Sequence, residues 1–360
     1  MKLFSRKAFD FLKVQKLLNE NKIVTLAGSG DPHESYGRVD LLKRMVSKLD
    51  YDYLIFDGDY LEEPAYLKVG KEKETAKDAV TKLKNLFKTL EDVEKPVLFT
   101  GGNYEILGTV WDAIDDLGND LFVNIGCDKL REKLIDHVFK SEVYMEISTV
   151  HETWPGNTFQ HKKGNLIFLG VEGTNIINYT FPGERTESNI KWAIEEGLSE
   201  RDIEYSNLIL LTHVPPFGTR DQLGRFGVPP HMWGARKGST ALRDFLDSKK
   251  PLMIISGHIH ENFGLFLIVE KNGARKTFNI DFKDRTKLLV AYDKNNTNVS
   301  LVLNKGTLEN WNWSVVTISE IENYRLIDIE GEWLTKSGVK KQFKKYNKIL
   351  DFDNVLNYFI

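Results

Sequence analysis

KIVTLAGSGDPHESYGRVDLLKRMVSKLDYDYLIFDGD, which spans residues 22–59, places a helical pattern between two short apolar runs. IVTLAG and YLIFDGD have the length and composition of buried strands, and the apolar residues of VDLLKRMVSKL recur at helical spacing. Strand, helix and strand in this order predict a mostly parallel sheet that helices cover. Such sheets bind their ligands at the carboxyl ends of the strands. The polar residues directly after each strand are therefore the first candidates for function.

The same alternation continues to about residue 264. Four further segments predict strands: KPVLFTGGN (95–103), NLIFLGVEG (165–173), NLILLTHV (207–214) and PLMIISGHIH (251–260). STALRDFLDSKK, ahead of the last of them, predicts a helix. This part of the chain is therefore predicted to belong to the α/β class.

The pattern after residue 264 is β-rich. FLIVEKNGARKTFNI (266–280) predicts a hairpin that turns at Asn272-Gly273, and LLVAYDKNNTNVSLVLN (288–304) predicts a second pair of strands. NWSVVTI and YRLIDI predict two more strands. The segment 333–360 carries a basic stretch and an apolar end, which predict a surface helix with a docked end.

The composition limits the class of protein. The 360 residues carry a formal charge of -3 and are 41% apolar, which is typical of a globular chain and excludes collagen-like and disordered proteins. The near-neutral charge, without a strongly basic stripe, gives no strong signal for nucleic-acid binding. A single cysteine, Cys127, excludes an internal disulfide and a zinc site built of cysteines. No stretch has the apolar length of a signal sequence or a membrane span, so a cytoplasmic protein is expected.

The chain is predicted to form one domain over residues 1–360, because no repeat and no flexible Gly/Ser linker divides it. Its core is expected at about residues 22–318. An amphipathic helix within residues 1–20 precedes the core, and an extension over residues 319–360 follows it.

Five of the predicted strand ends carry side chains of the types that bind metal ions. They are Asp31-Pro32-His33, Gly58-Asp59, Gly102-Asn103-Tyr104-Glu105, Thr212-His213 and Gly257-His258-Ile259-His260. Taken one at a time, each has an ordinary interpretation as a turn, a loop or a helix cap. Together they bring carboxylate, amide and imidazole groups to neighbouring strand ends, which indicates one shared cleft.

These motifs, in this order, resemble those of the calcineurin-like metallophosphoesterase superfamily, which run D-x-H, G-D, G-N-H-D/E, H and G-H-x-H. The resemblance spans about residues 22–318. It implies a four-layer α/β/β/α sandwich, here with a β-rich C-terminal decoration, and a dinuclear metal centre at the sheet edge. It also implies hydrolysis of a phosphate ester by a bridging hydroxide in an in-line attack on phosphorus.

The resemblance implies two sets of metal ligands that share one residue. Asp31, His33, Asp59 and His260 would hold one divalent ion, and Asp59, Asn103, His213 and His258 would hold the other. Such a mixture of oxygen and imidazole ligands suits manganese, iron, zinc, cobalt or nickel.

One position departs from the pattern of the family. Tyr104 stands where the family has the histidine that protonates the leaving group, and Glu105 follows it as in the family. A phenol is a much weaker acid than an imidazolium near neutral pH. The predicted catalytic residues are Asp59, Asn103, Tyr104 and Glu105, and the departure favours phosphodiesters. The alternatives are a phosphomonoesterase, including a protein phosphatase, and a non-catalytic metal-binding interaction module on the same fold.

A second resemblance narrows the family. Residues 213–264 resemble the Icc-related and archaeal-type predicted phosphoesterases through the elements HVPPFGT, GSTALR and GHIHE. Asn304-Lys305-Gly306-Thr307 resembles the N-P-G-S segment of that branch. Because the branch is similar to class III cyclic-nucleotide phosphodiesterases, the resemblance implies nucleotide phosphodiesters as candidate substrates.

The loop after His213 carries the predicted substrate contacts. Arg220, Arg225 and Arg236 are candidates for holding a phosphate, and Trp233 is a candidate for stacking on a base. A solvated loop with one packed aromatic residue is an equal alternative. The expected partner is therefore a small phosphate ester, including a nucleotide, and neither a membrane nor a nucleic acid.

Overall fold

The computed structural model describes residues 10–60, 82, 85–86, 89, 95, 97–102, 144–146, 157–160, 164–171, 173–175, 184–199, 202–224, 230–282, 285–307, 312–333 and 346–356. The strands in this part of the chain are β1 (Lys22–Ser29), β2 (Tyr53–Phe56), β3 (Val97–Phe99), β4 (Tyr144–Glu146), β5 (Asn157–Gln160), β6 (Ile167–Val171), β7 (Thr174–Asn175), β8 (Glu184–Arg185), β9 (Leu208–Thr212), β10 (Met253–Ser256), β11 (Gly264–Lys271), β12 (Ala274–Asp281), β13 (Arg285–Asp293), β14 (Thr297–Asn304), β15 (Asn312–Ile321), β16 (Tyr324–Trp333) and β17 (Lys348–Asp351). The α-helices are α1 (Phe11–Glu20), α2 (Tyr36–Val46), α3 (Glu187–Leu198) and α4 (Thr240–Lys249).

Two large sheets organise these strands. The first has eight strands in the order β17-β13-β16-β15-β1-β2-β3-β4, and the second has seven in the order β12-β11-β14-β10-β9-β6-β5. Strands β1 to β4 run parallel to one another, as do β6, β9, β10 and β14 of the second sheet. Because α2 joins β1 to β2, the strand-helix-strand unit predicted from residues 22–59 is confirmed. A two-stranded sheet of β7 and β8 completes the set that the structure describes.

The two large sheets pack face to face across an apolar core. Leu26 and Ile55 contribute to it from the first sheet, and Leu211 and Ile255 contribute from the second. All four side chains are buried. Each such side chain stabilises the fold by about 1.5–3 kcal/mol relative to leaving it in water.

Helices cover the outer faces of the sheets. α3 and α4 bury Ile194 and Phe245 against the second sheet. α1 buries Val14 and Leu18 against β13 and β16 of the first sheet. The order helix, sheet, sheet, helix confirms the predicted four-layer α/β sandwich with a β-rich C-terminal region. None of the helices in the described part of the chain combines the length and the apolar character that a membrane span requires.

The β-rich region agrees with the prediction at one turn and differs from it at another. Strands β11 and β12 form the predicted hairpin, and Asn272 and Gly273 have the positive φ angles, 50° and 74°, that a tight two-residue turn needs. The two strands predicted over residues 288–304 are present as β13 and β14, but their predicted pairing is wrong, because β13 belongs to the first sheet and β14 to the second. Val290 on β13 and Leu301 on β14 both enter the core between the sheets. The chain therefore crosses from one side of the core to the other at this turn.

Both ends of the described chain differ in detail from the prediction. α1 begins at Phe11, because the side chain of Asp10 caps it by accepting a hydrogen bond from the Leu12 amide. Residues 1–9 lie outside the described residues. Near the C-terminus, β17 pairs with β13 in parallel, so the helix predicted over 333–360 is wrong at Lys348–Asp351.

Candidate metal centre

Six of the predicted metal ligands lie in segments that follow parallel strands. Asp31 and His33 follow β1, Asp59 follows β2, His213 follows β9, and His258 and His260 follow β10. β1 and β2 are neighbours in the first sheet, and β9 and β10 are neighbours in the second. The site is therefore assembled where strand ends of two sheets meet, whereas the sequence predicted neighbouring strand ends at one sheet edge.

The first group of ligands consists of Asp31, His33 and His260. Their ligand atoms lie within 4.8 Å of one another. His33 Nε2 is 3.2 Å from His260 Nε2, and His260 Nε2 is 3.1 Å from Asp31 Oδ2. Asp31 is fully buried whereas both imidazoles are partly exposed, so this group opens towards solvent through its histidines.

The second group consists of Asp59, His213 and His258, whose ligand atoms also lie within 4.8 Å of one another. His213 Nε2 is 3.3 Å from Asp59 Oδ2 and 3.2 Å from His258 Nδ1. His213 Nδ1 donates a hydrogen bond to the carbonyl oxygen of Asp57 at 2.8 Å. This bond fixes the orientation of the ring and directs Nε2 towards the other two ligands.

The two groups are in direct contact. Asp31 Oδ1 lies 3.4 Å from His213 Nδ1, and Asp31 Oδ2 accepts a hydrogen bond from the His258 amide at 2.8 Å. The His33 amide donates to the carbonyl oxygen of Asp59 at 3.0 Å. The six residues thus form one continuous cluster.

The backbone at these strand ends is held in conformations that non-glycine residues seldom adopt. The φ angles of Asp31, His33, Asp59 and His258 are 36°, 43°, 48° and 61°. Left-handed conformations of this kind cost of order 1–3 kcal/mol each and are concentrated at functional sites. The fold therefore stabilises a local arrangement that the separate segments would not adopt.

Glycine is required where the backbone passes closest to the ligands. A methyl group on Gly257 would lie 2.7 Å from Asp31 Oδ1, and one on Gly58 would lie 2.8 Å from His213 Nδ1. Gly58 also has a φ angle of 111°, which side chains disfavour. The glycines of the two motifs make room for the ligand atoms.

The charges in the cluster shift the acidities of its members. Burial opposes ionisation of Asp59, but the charge and hydrogen bond of His213 outweigh burial and lower the pKa of that carboxyl group. Burial likewise opposes the charge on His213, yet Asp59 and Asp31 raise the pKa of its imidazole to about 10. Burial, followed by the positive charge of His213, lowers the pKa of His258 to about 3. At neutral pH the metal-free cluster therefore keeps His213 protonated and His258 neutral.

The residues fit a pair of divalent cations. Carboxylate oxygens and imidazole nitrogens are the donors that such ions accept in mixed sets. Asp31 Oδ1 is buried and receives no hydrogen bond from the part of the chain that the structure describes, with His213 Nδ1 3.4 Å away, so its lone pairs remain available to a cation. Two pairs of imidazole nitrogens, each 3.2 Å apart, converge in the same way.

The third predicted motif reaches the site at its first glycine. A methyl group on Gly102 would lie 2.2 Å from Asp59 Oδ1, so the end of β3 abuts the second group. Asn103, Tyr104 and Glu105 follow directly but lie outside the described residues. Their predicted roles stay predictions.

Supporting residues to which the sequence analysis assigned no role in the site surround the ligands. The Thr307 hydroxyl donates to the carbonyl oxygen of Asp31 at 2.8 Å, and Asn304 Nδ2 donates to that of Gly257 at 3.1 Å. Asp57 is fully buried one position before Gly58, and Lys305 is buried between Asn304 and Gly306. The available signal was a charged residue close behind a short apolar run, LIF before Asp57 and LVL before Asn304-Lys305.

The predicted substrate residues have different surroundings. Arg220 is buried, and its guanidinium donates to the carbonyl oxygens of Asn262 and Phe263 and to the side chains of Asn279 and Asp281. These contacts tie the loop after His213 to the segment after His260. Arg220 therefore has structural contacts for its whole guanidinium, and its predicted contact with substrate stays a prediction.

The other candidates of that loop are more accessible. Trp233 is 44% exposed. The side chain of Arg236 is 43% exposed and forms an ion pair with the buried Asp221 at 2.8 Å. Arg225 lies outside the described residues. The predicted contacts of Trp233, Arg225 and Arg236 with substrate stay predictions.

Comparisons with known proteins agree with this architecture. The sequence matches the model of the family described as calcineurin-like phosphoesterase over residues 24–262. A crystal structure with 13% sequence identity superimposes with a TM-score of 0.52, covering 81% of this chain and 94% of the other. TT1561 of Thermus thermophilus has 10% identity and a TM-score of 0.43, covering 82% of this chain and 94% of the other. An archaeal phosphodiesterase has 12% identity and a TM-score of 0.31, covering 84% of this chain and 99% of the other. No curated protein matches the chain.

Proposed function

The chain belongs to the calcineurin-like phosphoesterase family, and from this premise we propose that it is a dinuclear metal-dependent phosphodiesterase. The observation that supports the proposal best is the convergence of two three-residue ligand groups in one continuous cluster. Bringing six side chains of metal-binding types together in one partly buried cluster lowers the stability of the fold. A purely structural role would not require this arrangement.

Six described residues would hold the ions. Asp31, His33 and His260 would bind one ion, and His213 and His258 would bind the other together with Asn103. Asp59 is proposed to bridge them, because its carboxylate interacts with His33 of the first group as well as with His213 and His258 of the second. When bound, two divalent ions would acidify a water and polarise the phosphoryl oxygens.

The chain itself would orient the reacting groups. His213 is fixed by its hydrogen bond to the Asp57 carbonyl, and Asp31 by its bonds from the His258 amide and, at its carbonyl, from Thr307. His33, His258 and His260 form the partly exposed side of the cluster, so the substrate would approach from there. Preorganised ligands of this kind lower the reorganisation that the reaction requires.

The preference for a diester rests on Tyr104. A phosphomonoesterase that cleaves poor leaving groups benefits from a strong general acid, and a phenol with an ordinary pKa near 10 supplies a weak one. Hydrolysis of a diester with a good leaving group depends less on a general acid. An exposed Trp233 and a half-exposed Arg236 are proposed to receive a base and a phosphate, so a nucleotide diester is the proposed substrate class.

The test is hydrolysis by metal-stripped protein that is refilled separately with Mn²⁺, Ni²⁺, Co²⁺, Zn²⁺ or Mg²⁺. Bis-p-nitrophenyl phosphate reports the diesterase activity and p-nitrophenyl phosphate the monoesterase activity, and Asp59→Ala is the control. The proposal expects metal-dependent cleavage of the diester that the control lacks. Faster cleavage of the monoester would favour a phosphatase, and no turnover with any metal would favour a non-catalytic binding module.

A further inference from the structure

The loop after His213 forms a hairpin with a first arm over residues 220–224 and a second arm over residues 234–237. Backbone hydrogen bonds of 2.8, 2.9 and 3.0 Å join the two arms. Trp233 directly precedes the second arm, and Arg236 belongs to it. Both proposed substrate contacts therefore depend on where the first arm lies.

Asn304 connects the first arm to residues 257–262, the ligand segment. The Asn304 side chain is fully buried at the end of β14, and its Nδ2 donates to the carbonyl oxygens of Gly257 at 3.1 Å and of Arg220 at 3.3 Å. Its Oδ1 accepts a hydrogen bond from the Gly306 amide at 2.7 Å. The two N–H groups of the amide thus bond two different segments at once, which neither aspartate nor alanine could do.

The side chain of Arg220 bonds the opposite end of the ligand segment. Its Nε donates to the carbonyl oxygen of Asn262 at 3.0 Å, and Asn262 Nδ2 donates to that of Gln222 in the first arm. Arg220 is buried, so these bonds are shielded from water. His258 and His260 lie between the two points of attachment. The first arm is therefore bonded to both ends of the segment that carries these two candidate ligands.

The first arm is also packed tightly against the ligand segment. A methyl group on Gly224 would lie 2.8 Å from Glu261 Cγ and 2.9 Å from its Cβ. Glu261 directly follows His260, so the arm touches the chain next to a candidate ligand. Closely packed elements transmit displacements to each other. A shift of the arm therefore requires the ligand segment to shift with it.

We propose that Asn304 and Arg220 are positioning residues that couple the loop after His213 to the metal centre, an inference that rests on the proposed function. Metal ions bound by His258 and His260 would restrain the ligand segment. The hydrogen bonds at its two ends transmit this restraint to the hairpin, so the loop is ordered when the metals are bound. Because coupling between two sites is reciprocal, a nucleotide bound by the loop raises the affinity for the metals in turn.

The experiment is amide hydrogen exchange of the full-length, metal-stripped chain, followed by mass spectrometry with and without saturating Mn²⁺. Exchange at the amides that join the two arms reports opening of the hairpin. In the original protein Mn²⁺ is expected to slow this exchange by about fivefold or more. Asn304→Ala and Arg220→Met each remove one attachment and should reduce the effect to about twofold, and the double variant should show none. Exchange in the ligand segment should still slow in each variant, which shows that Mn²⁺ is bound.

Asn207→Ala is the matched control. Asn207 is another buried asparagine, whose Nδ2 donates to Glu204 Oε2 at 2.9 Å and whose Oδ1 accepts from Arg325 at 2.6 Å. It directly precedes β9, at the opposite end of that strand from His213. Loss of its bonds should lower the melting temperature, while Mn²⁺ slows exchange in the loop as in the original protein. A purely structural role of Asn304 would give the same result as this control.

The outcomes separate this inference from the proposed function. Full slowing of loop exchange by Mn²⁺ in Asn304→Ala, or no slowing in an original protein that binds Mn²⁺, would overturn the coupling and leave the proposed function in place. Absence of Mn²⁺ binding by the original protein would contradict both. Should the variants without Arg220 not fold, Asn304→Ala decides alone, and a reduced effect of Mn²⁺ on its loop supports the coupling.

Discussion

His33 Nε2 and His260 Nε2 lie 3.2 Å apart, although 227 positions separate the two residues in the chain. His213 Nε2 and His258 Nδ1 repeat this arrangement at the same distance. In each pair one of the two nitrogens has to carry a proton, or a cation has to lie between them, because two unprotonated nitrogens would present their lone pairs to each other. Each ligand group therefore has one place between two imidazole nitrogens that can take up either a proton or a metal ion.

His260→Ala removes one of the two imidazoles that face each other in the first ligand group. We expect the bound metal to fall from two ions per chain to one, because the first group would keep only Asp31 and His33 besides the shared Asp59. Loss of one ion should slow diester hydrolysis by about 10³-fold, corresponding to several kcal/mol of transition-state stabilisation. Metal content after dialysis, measured by mass spectrometry, and hydrolysis of bis-p-nitrophenyl phosphate check this.

The control for that experiment is His231→Ala. His231 is an exposed histidine in the loop after His213 and belongs to neither ligand group. It should keep both ions. Two ions retained in His260→Ala would contradict the assignment of the first group.

The sequence predicted the strand ends of this site because its signals are local. Each ligand directly follows an apolar strand, and the carboxyl ends of neighbouring parallel strands meet at one edge. Asp31 and Asp59 could thus be brought together without any knowledge of distances, whereas His213 follows a strand of the other sheet and was grouped with them by the resemblance to the family motifs. The same local rule predicted the helix between β1 and β2 and the turn at Asn272-Gly273.

Features that depend on partners distant in the chain could not be predicted in this way. The apolar alternation of β13 and β14 is the same whether the strands pair or lie in opposite sheets, so the crossing between Val290 and Leu301 is decided by the core. Arg220 was predicted to contact phosphate because arginine commonly binds phosphate groups. Only the fold shows that Asn279 and Asp281 accept hydrogen bonds from its guanidinium. The role of a buried charged residue such as Lys305 likewise depends on the residues that surround it in the fold.

Metal binding is expected to strengthen as the pH rises from 7 to 9. The pKa of His213 is raised to about 10 in the metal-free cluster, so its imidazole is protonated over this range and must lose a proton to serve as a ligand. Each proton displaced changes the affinity by about tenfold per pH unit. His258, with a pKa lowered to about 3, is already neutral and adds nothing to this slope.

Calorimetric titration with Mn²⁺ in two buffers of different ionisation enthalpy measures the protons released. About one proton released at pH 8 for the ion that His213 binds is the expected result. An affinity that does not change between pH 7 and pH 9, with no proton release, would show that His213 is not a ligand.

Gly257→Ala is expected to damage the metal centre directly. The added methyl group would meet Asp31 Oδ1 and Asp57 Oδ1 at 2.7 Å, so one of the carboxylates has to move. Overpacking of this kind lowers the free energy of unfolding by about 1–3 kcal/mol. Because Asp31 is a ligand, Mn²⁺ affinity should fall together with stability, as measured by chemical denaturation and titration.

Gly37→Ala is the matched control. Gly37 lies in α2, and an added methyl group there meets nothing within 4 Å. The free energy of unfolding of Gly37→Ala should be unchanged or raised by less than about 1 kcal/mol, and the Mn²⁺ affinity of this variant should stay the same. Equal affinities in the two alanine variants would contradict the close approach at Gly257.

Arg220→Met and Trp233→Ala should separate stability from substrate binding. Loss of the buried guanidinium removes the donor to the Asn279 side chain and to the Asn262 carbonyl oxygen, and breaking such a network lowers the free energy of unfolding by about 3 kcal/mol. Trp233 is 44% exposed, so its removal should leave the melting temperature unchanged. If Trp233 stacks on a base, the KM of Trp233→Ala for a nucleotide diester should be about tenfold higher than that of the original protein. A nucleotide KM that rises in Arg220→Met at unchanged stability would reverse the two roles.

Tyr104→His tests the proposed preference for diesters. An imidazolium donates a proton near neutral pH far more readily than a phenol, and the benefit grows as the leaving group becomes a worse one. The variant should therefore cleave alkyl phosphates about 10²-fold faster or more while its rate with p-nitrophenyl esters changes little. Steady-state rates for an alkyl and a p-nitrophenyl monoester, each with Mn²⁺, give the ratio. Tyr104→Phe is the control, since it keeps the ring and removes the hydroxyl. An equal ratio of alkyl to p-nitrophenyl rates in the original protein and both variants would show that position 104 does not act on the leaving group.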